Sequence, residues 1–205
     1  MSAATLPKTT RVAPLPAPEL PPTASGRKRW TREDCRQLER IGYLHSRYEL
    51  INGEIVLKMG QNAPHANAVS LVLVWLFSLF GARRVHGQST MEVRQDDRVT
   101  NRPEPDAMVF REPTNETPRG EDVLLVVEVA DTSLADDLGY KVGLYARAGI
   151  AEYWVLDIQS RRLTVFRNPD TEAGTWADQQ QFGERDTVSC AAAPDSRTTV
   201  ADLLP

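Results

Sequence analysis

The chain contains the run Val123-Leu124-Leu125-Val126-Val127-Glu128-Val129, in which one acid interrupts apolar, β-favouring residues. Such a run predicts a strand that is buried on both faces of a sheet. A second apolar run covers residues 106–110, and turn-forming residues fill positions 112–122 between the two runs. The pattern predicts two interior strands joined as a hairpin, with Glu128 near the end of one of them.

The acids at the ends of these two strands are expected to face each other. If Arg111 pairs with Val123, antiparallel register places Asp106 directly opposite Glu128. Opposed like charges destabilise a sheet unless a cation lies between them or a pKa shifts. A divalent ion fits, because Mg²⁺ takes one or two protein carboxylates and fills its other positions with water and phosphate oxygens. A register that differs by one or two residues would instead leave Asp106 opening a strand and Glu128 in solvent.

Lys141 belongs to a predicted helix over residues 134–148. It shares a stripe with Leu138, Leu144 and Tyr145, the face expected to pack on the sheet. One interpretation pairs it with Asp137 one turn earlier, which is worth a few tenths of a kcal/mol. The other places its ammonium beside the two carboxylates, where it orients an attacking water or stabilises charge on a reacting phosphate.

The other elements are predicted from caps, turns and periodicity. Thr31 is a suitable N-cap for a helix that ends at Gly42, and Asn52-Gly53 is a strong hairpin signal between residues 48–51 and 54–57. Pro64 precedes a helix over residues 65–80 whose nearly all-round apolar surface predicts cover on more than one side. The remaining predicted elements are strands at residues 84–94, 153–158 and 163–166, then two short strands and a terminal turn beyond Asp170.

This order of elements predicts an α/β fold, with a mixed sheet flanked by a helix on each face and an added N-terminal hairpin. Residues 30–205 are expected to form one domain. Residues 1–29 hold six of the 14 prolines and five basic residues against one acid, so we expect a disordered basic tail with a net charge of +4.

Composition excludes several function classes. The whole chain carries −4, so the part after the tail carries −8, and an acidic body does not bind polyanions through its bulk field. Two cysteines are too few for a disulfide framework, and the first residues lack a signal-peptide core, which together favour the cytoplasm. The apolar residues 66–82 number about 17, short of the roughly 20 that a membrane span needs, so no membrane partner is expected.

Several motifs together resemble one known family. They are Pro105-Asp106, Val126-Val127-Glu128-Val129, Asp131-Thr132-Ser133-Leu134 with Asp137 and Lys141, Tyr145-Ala146-Arg147-Ala148-Gly149-Ile150, and Glu152-Tyr153-Trp154-Val155-Leu156-Asp157. This set resembles the Uma-two family of restriction-endonuclease-like proteins with the PD-(D/E)XK fold. The resemblance covers about residues 48–167, because the hairpin at 48–54 and His65 also match.

The resemblance implies a metal-dependent endonuclease that hydrolyses DNA phosphodiester bonds. Asp106 and Glu128 would hold Mg²⁺ or Mn²⁺, and the lysine normally found two residues after the glutamate is replaced by Ala130. Lys141 would then serve from the helix. The departure leaves an alternative: a nuclease-fold module that binds DNA or a protein partner without cutting.

Three further residues are candidates for the same site. Glu49 or Glu54 would add a carboxylate, against the alternative of solvated strand ends, and His65 would bond a phosphate or transfer a proton, against a structural role. A homodimer is expected, because a two-fold dimer most easily cuts both strands of a duplex. A third hypothesis is a structural dimer that uses the helix at residues 65–80 as its interface.

Overall fold

The computed structural model describes residues 28–45, 47–58 and 62–205. The predicted tail therefore lies almost entirely outside the described residues. The first helix, α1 (Arg32–Arg40), has Thr31 as its N-cap, and the Thr31 hydroxyl and the carboxylate of Asp34 form a capping box. A two-stranded hairpin follows, β1 (Tyr48–Ile51) and β2 (Glu54–Leu57), in the register that Asn52-Gly53 predicts, with both turn residues at positive φ. The helix and the hairpin are confirmed.

A mixed six-stranded sheet forms the centre of the protein, as expected. Its order is β3-β4-β5-β6-β7-β8, and all neighbours are antiparallel except the parallel pair β5 and β6. The strands are β3 (Val85–Gly87), β4 (Ala107–Phe110), β5 (Val123–Ala130), β6 (Glu152–Asp157), β7 (Arg162–Asp170) and β8 (Thr175–Gly183).

Two strand lengths differ from expectation. The predicted strand over residues 84–94 is only three residues long, and β8 is nine residues long where only a short strand was predicted. Most residues of β8 are polar and exposed, which is typical of an edge strand. Because strands are predicted from alternating apolar residues, such a polar strand gives only a weak signal in the sequence. After β8 come the short strands β9 (Thr187–Val188) and β10 (Thr198–Thr199) and a terminal 3₁₀ turn, Ala201–Leu203.

The register of β4 and β5 is the predicted one at the end next to Asp106 and Glu128. Ala107 pairs with Val127 and Met108 with Val126, so residue numbers sum to 234 as expected. The premise of an Arg111–Val123 pair is wrong, because a β-bulge beyond Val109 shifts Phe110 onto Val123. A bulge inserts one extra residue in one strand, so the pairing of Phe110 beyond the bulge does not give the register of Ala107 and Met108 before it.

Helices cover the two faces of the sheet. The long helix α2 (Ala63–Phe80) packs through Ala68, Val69, Val72 and Leu76 on one face. Leu71, Val74 and Phe77 are exposed, and Val74 is 68% exposed, so the expectation of cover on more than one side is wrong for the described chain. The length of α2 and its mean hydropathy of 1.6 would also suit a membrane span, but the core helix of a protein that spans no membrane can have the same length and hydropathy.

The predicted helix over residues 134–148 is two helices, α3 (Leu134–Asp137) and α4 (Tyr140–Arg147). The break falls at Gly139, where a Cβ atom would lie 2.4 Å from the carbonyl oxygen of Ala135. Only glycine fits such a close approach. Leu138 is exposed rather than packed, whereas Leu144 and Tyr145 of α4 are fully buried on the second face of the sheet.

Candidate active site

Glu128 lies at the centre of the candidate site. Side chains alternate along β5, so Val127 and Val129 face α2 while Glu128 faces α4 between Val126 and Ala130. The glutamate is 3% exposed. Its Oε1 atom accepts two hydrogen bonds from α4, one from Lys141 Nζ at 3.0 Å and one from the Tyr145 hydroxyl at 2.7 Å.

Lys141 is surrounded by carboxylates. Besides Glu128, its Nζ atom lies 2.9 Å from Asp137 Oδ1 and 3.6 Å from Glu49 Oε2. The two interpretations of this lysine are therefore compatible, since it pairs with Asp137 one turn away and also reaches the sheet. Ser133 Oγ donates to the other oxygen of Asp137 at 2.5 Å and so holds that carboxylate in place.

Asp106 directly precedes β4 and faces the same site. Its Oδ2 atom accepts a hydrogen bond from the backbone N–H of Val129 at 2.9 Å and lies 3.4 Å from Nε2 of His65. His65 comes from the first turns of α2, which Asn62 caps through its side chain. The structure thus brings Asp106, Glu128, Lys141, Glu49 and His65 together.

The ionisation of these groups follows from burial and neighbouring charge. Burial raises the pKa of Glu128, Lys141 opposes this, and Asp137, Glu49 and Asp106 add to it, so that the pKa reaches about 8. Burial acts against ionisation of Asp106 too, but the hydrogen bonds from His65 and Val129 hold its pKa below the ordinary value. The bond to Asp106 raises the pKa of His65. The cluster therefore holds four acidic side chains, Glu49, Asp106, Glu128 and Asp137, against Lys141 and His65.

An open groove of about 640 Å³ gives access to the cluster. Glu49, Asp106, Glu128 and Lys141 line its floor, and residues of the hairpin, of α2 and of the segment after β5 line its sides. Among the described residues, no hydrogen bond reaches Oδ1 of Asp106 or Oε2 of Glu128, so each carboxylate keeps one oxygen available.

The donor set fits a divalent ion held by two carboxylates. Mg²⁺ commonly uses one or two protein carboxylates, and excess negative charge in a buried site favours a cation. No group of three or more His, Cys, Asp and Glu side chains converges on one point within the described ranges, so water and substrate would complete the coordination. Asp106 and Glu128 are the residues that would hold the ion.

The site in the structure differs from the predicted site in two respects. Glu54 does not belong to it: it pairs with Ile51 at the turn of the hairpin and is exposed, because β2 is the outer strand. Tyr145 was not predicted as a site residue, although its position one turn after Lys141 on the same predicted stripe was a usable signal.

Ala130 occupies the position on β5 where the family resemblance leads one to expect a lysine. Residues 128 and 130 point to the same side of β5, and Ala130 packs in the same core cluster as Leu144 and Tyr145 of α4. The cation beside Glu128 is instead Lys141, which reaches it from α4.

A mixed sheet with acids from two neighbouring strands and a lysine above them defines a nuclease-type fold. A solved structure, described as a "putative nuclease belonging to DUF820" from Anabaena variabilis, matches with a TM-score of 0.58 over 81% of this chain and 96% of that chain, at 15% identity, which shows a shared fold. A family model described as "Putative restriction endonuclease" matches residues 32–201. The chain therefore belongs to this family, Uma2, which is the Uma-two family that the sequence motifs resemble. No curated protein matches the sequence.

Proposed function

We propose that this protein is an endonuclease that uses Mg²⁺ or Mn²⁺ to hydrolyse DNA phosphodiester bonds, with Asp106 and Glu128 holding the ion. The observation that carries the proposal is the meeting of Glu128 and Lys141, both buried, beside Asp106 at the floor of an open groove. Burying three acids around one lysine costs desolvation free energy that the ion pairs do not fully return, and such clusters are enriched at functional sites.

The protein side chains have separate roles in this proposal. Lys141 and Tyr145 hold Oε1 of Glu128, so that Oε2 faces the groove. His65 and the Val129 amide hold Oδ2 of Asp106 in the same way. The ammonium of Lys141 also places positive charge next to the reacting phosphate, which favours a transition state that gains negative charge. When bound, the ion would supply Lewis-acid stabilisation of the phosphate and lower the pKa of an attacking water.

The family description supports DNA as the proposed substrate. The family description names a restriction endonuclease. Because the chain has a net charge of −4, bulk attraction does not bring a polyanion to the groove. The local cations and the ion must therefore hold the phosphates.

A plasmid-nicking assay tests the proposal. Supercoiled DNA should be cut by the wild-type protein with Mg²⁺ or Mn²⁺ and spared with EDTA. Asp106→Asn should reduce cutting by at least about 100-fold, since it removes a metal ligand. Glu54→Gln is the matched control, because it removes one acid of the hairpin that lies outside the site, and its activity should equal wild type. Binding of DNA without cutting by the wild type would favour the non-cleaving module instead.

A homodimer completes the proposal. A symmetric dimer places two sites on the two strands of a duplex. Leu71, Val74 and Phe77 form an exposed apolar stripe along α2, and this stripe is the surface proposed for the two-fold contact.

A further inference from the structure

One wall of the groove differs chemically from the rest. It consists of Arg47 and the end of β2, Val56-Leu57-Lys58, and we name these four residues the hairpin wall. Arg47 and Lys58 are neighbours, since the backbone N–H of Lys58 donates to the carbonyl oxygen of Arg47 at 2.9 Å. The hairpin is a separate two-stranded sheet, so this wall lies outside the six-stranded sheet that carries the acids.

The two cations of the wall are held by one residue. Glu104 binds the guanidinium of Arg47 through its carboxylate and the ammonium of Lys58 through its carbonyl oxygen. The backbone N–H of Glu104 in turn donates to Oε1 of Glu49 at 2.6 Å. A continuous chain of hydrogen bonds therefore ties the wall to the floor of the site. The guanidinium of Arg47 also donates to Gln88, from Nη1 to the side-chain oxygen and from Nη2 to the backbone carbonyl oxygen, both at 3.3 Å. The side chain of Arg47 is still 56% exposed, so a phosphate can reach the guanidinium from solvent.

The wall also exposes apolar surface. Leu57 is 50% exposed and Val56 is 40% exposed, next to the two cations and above the acidic floor. Adjacent cationic and apolar side chains match a nucleic-acid strand, whose phosphates are anionic while its sugars and base faces are apolar. On the floor, Lys141 is already engaged by three carboxylates, so among the described groove residues Arg47 and Lys58 are the cations best placed to bind flanking phosphates.

We propose that the hairpin wall binds the backbone of the DNA strand to be cut: Arg47 and Lys58 contact phosphates next to the scissile one, and Leu57 with Val56 packs on the sugars or bases between them. The inference rests on the proposed function, since it assumes that the floor receives a phosphodiester. It assigns binding of the DNA strand to the β1–β2 hairpin rather than to the central sheet.

The test measures how DNA affinity depends on salt. Fluorescence anisotropy with a labelled single-stranded DNA and its duplex, in Ca²⁺ and with a gel to show that the probe stays intact, gives the slope of log K against log salt. Each lost phosphate contact should reduce the slope by about 0.7 for the single strand and about 0.9 for the duplex. We expect that loss in Arg47→Gln and in Lys58→Gln. Arg47→Lys should keep the wild-type slope, which separates loss of charge from damage to the fold.

Matched controls lie on distant surfaces. Arg185→Gln removes the same charge from the exposed turn after β8, and its slope should stay at the wild-type value. Leu57→Ala should weaken binding several-fold without changing the slope, because an apolar contact releases no counterions. Ile41→Ala, an exposed apolar residue at the end of α1, should have no effect.

Three results would overturn the inference. They are slopes that stay unchanged in both Arg47→Gln and Lys58→Gln, an equal loss in Arg185→Gln, and an RNA strand of the same sequence that binds ten-fold more tightly than DNA. Failure of the proposed function is seen separately in the plasmid assay: reduced slopes without any cutting would support the hairpin wall and refute the nuclease.

Discussion

Replacing Glu128 with glutamine should stabilise the metal-free protein at alkaline pH. The glutamate is buried among Glu49, Asp106 and Asp137, and these surroundings raise its pKa to about 8. Glutamine has the same shape, and its Oε1 atom still accepts from Lys141 and Tyr145. Glu128→Gln therefore removes a buried negative charge and keeps both hydrogen bonds.

The magnitude follows from the difference in pKa between the two states. The pKa of this carboxyl is 4.5 without the fold and about 8 within it. Because the folded protein binds this proton more tightly, wild type loses free energy of unfolding as pH rises from 4.5 to about 8, by at most about 5 kcal/mol. Between pH 6 and pH 9 the advantage of the variant should grow by about 3 kcal/mol, at about 1.4 kcal/mol per pH unit below the folded pKa.

Urea unfolding followed by tryptophan fluorescence in EDTA measures both free energies. Adding Mg²⁺ should then reverse the order, because a ligand at 100 times its Kd stabilises wild type by about 2.7 kcal/mol and the variant less. The reasoning is refuted if the stability difference between the two proteins is the same at pH 6 and pH 9. It is also refuted if Mg²⁺ stabilises both proteins equally.

Two further predictions concern the support of the site and its assembly. Tyr145→Phe removes one of the two hydrogen-bond donors to Glu128. The Mg²⁺ concentration for half-maximal cutting should therefore rise about tenfold, while DNA affinity in Ca²⁺ stays constant. An unchanged Mg²⁺ dependence would contradict a positioning role for Tyr145. Val74→Asp places a charge in the exposed stripe of α2, so light scattering should show wild type at twice the 22.9 kDa chain mass and the variant at that mass. Because dimer formation stabilises only the folded chain, the unfolding temperature of wild type should rise with protein concentration and that of the variant should not. A monomeric wild type would refute the dimer.

Local signals predicted the hairpins and caps well. Thr31 and Asn52-Gly53 act through backbone conformation and hydrogen bonds within a few residues, so neighbouring sequence is sufficient to place α1 and the β1–β2 turn. The apolar run ending at Glu128 likewise predicted an interior strand, because a continuous apolar pattern is compatible with burial on both faces.

Features that depend on distant contacts were predicted less well. The bulge between β4 and β5 and the break at Gly139 arise from close approaches of backbone segments, which the pattern of apolar residues does not show. The exposed face of α2 carries the large apolar residues Leu71, Val74 and Phe77, so the apolar content of the helix predicts burial for both faces.

From its residues alone, the chain specifies a mixed α/β sheet, two acids on adjacent strands and a lysine on a packing helix, because these depend on patterns of polarity along short segments. Their arrangement around one point depends on the folded protein. Tyr145 and Asp137 approach Glu128 and Lys141 only when α3 and α4 dock on the sheet, and Glu49 joins them through the hairpin. A buried charge is tolerated or not according to all its neighbours in space, and folding alone determines those neighbours.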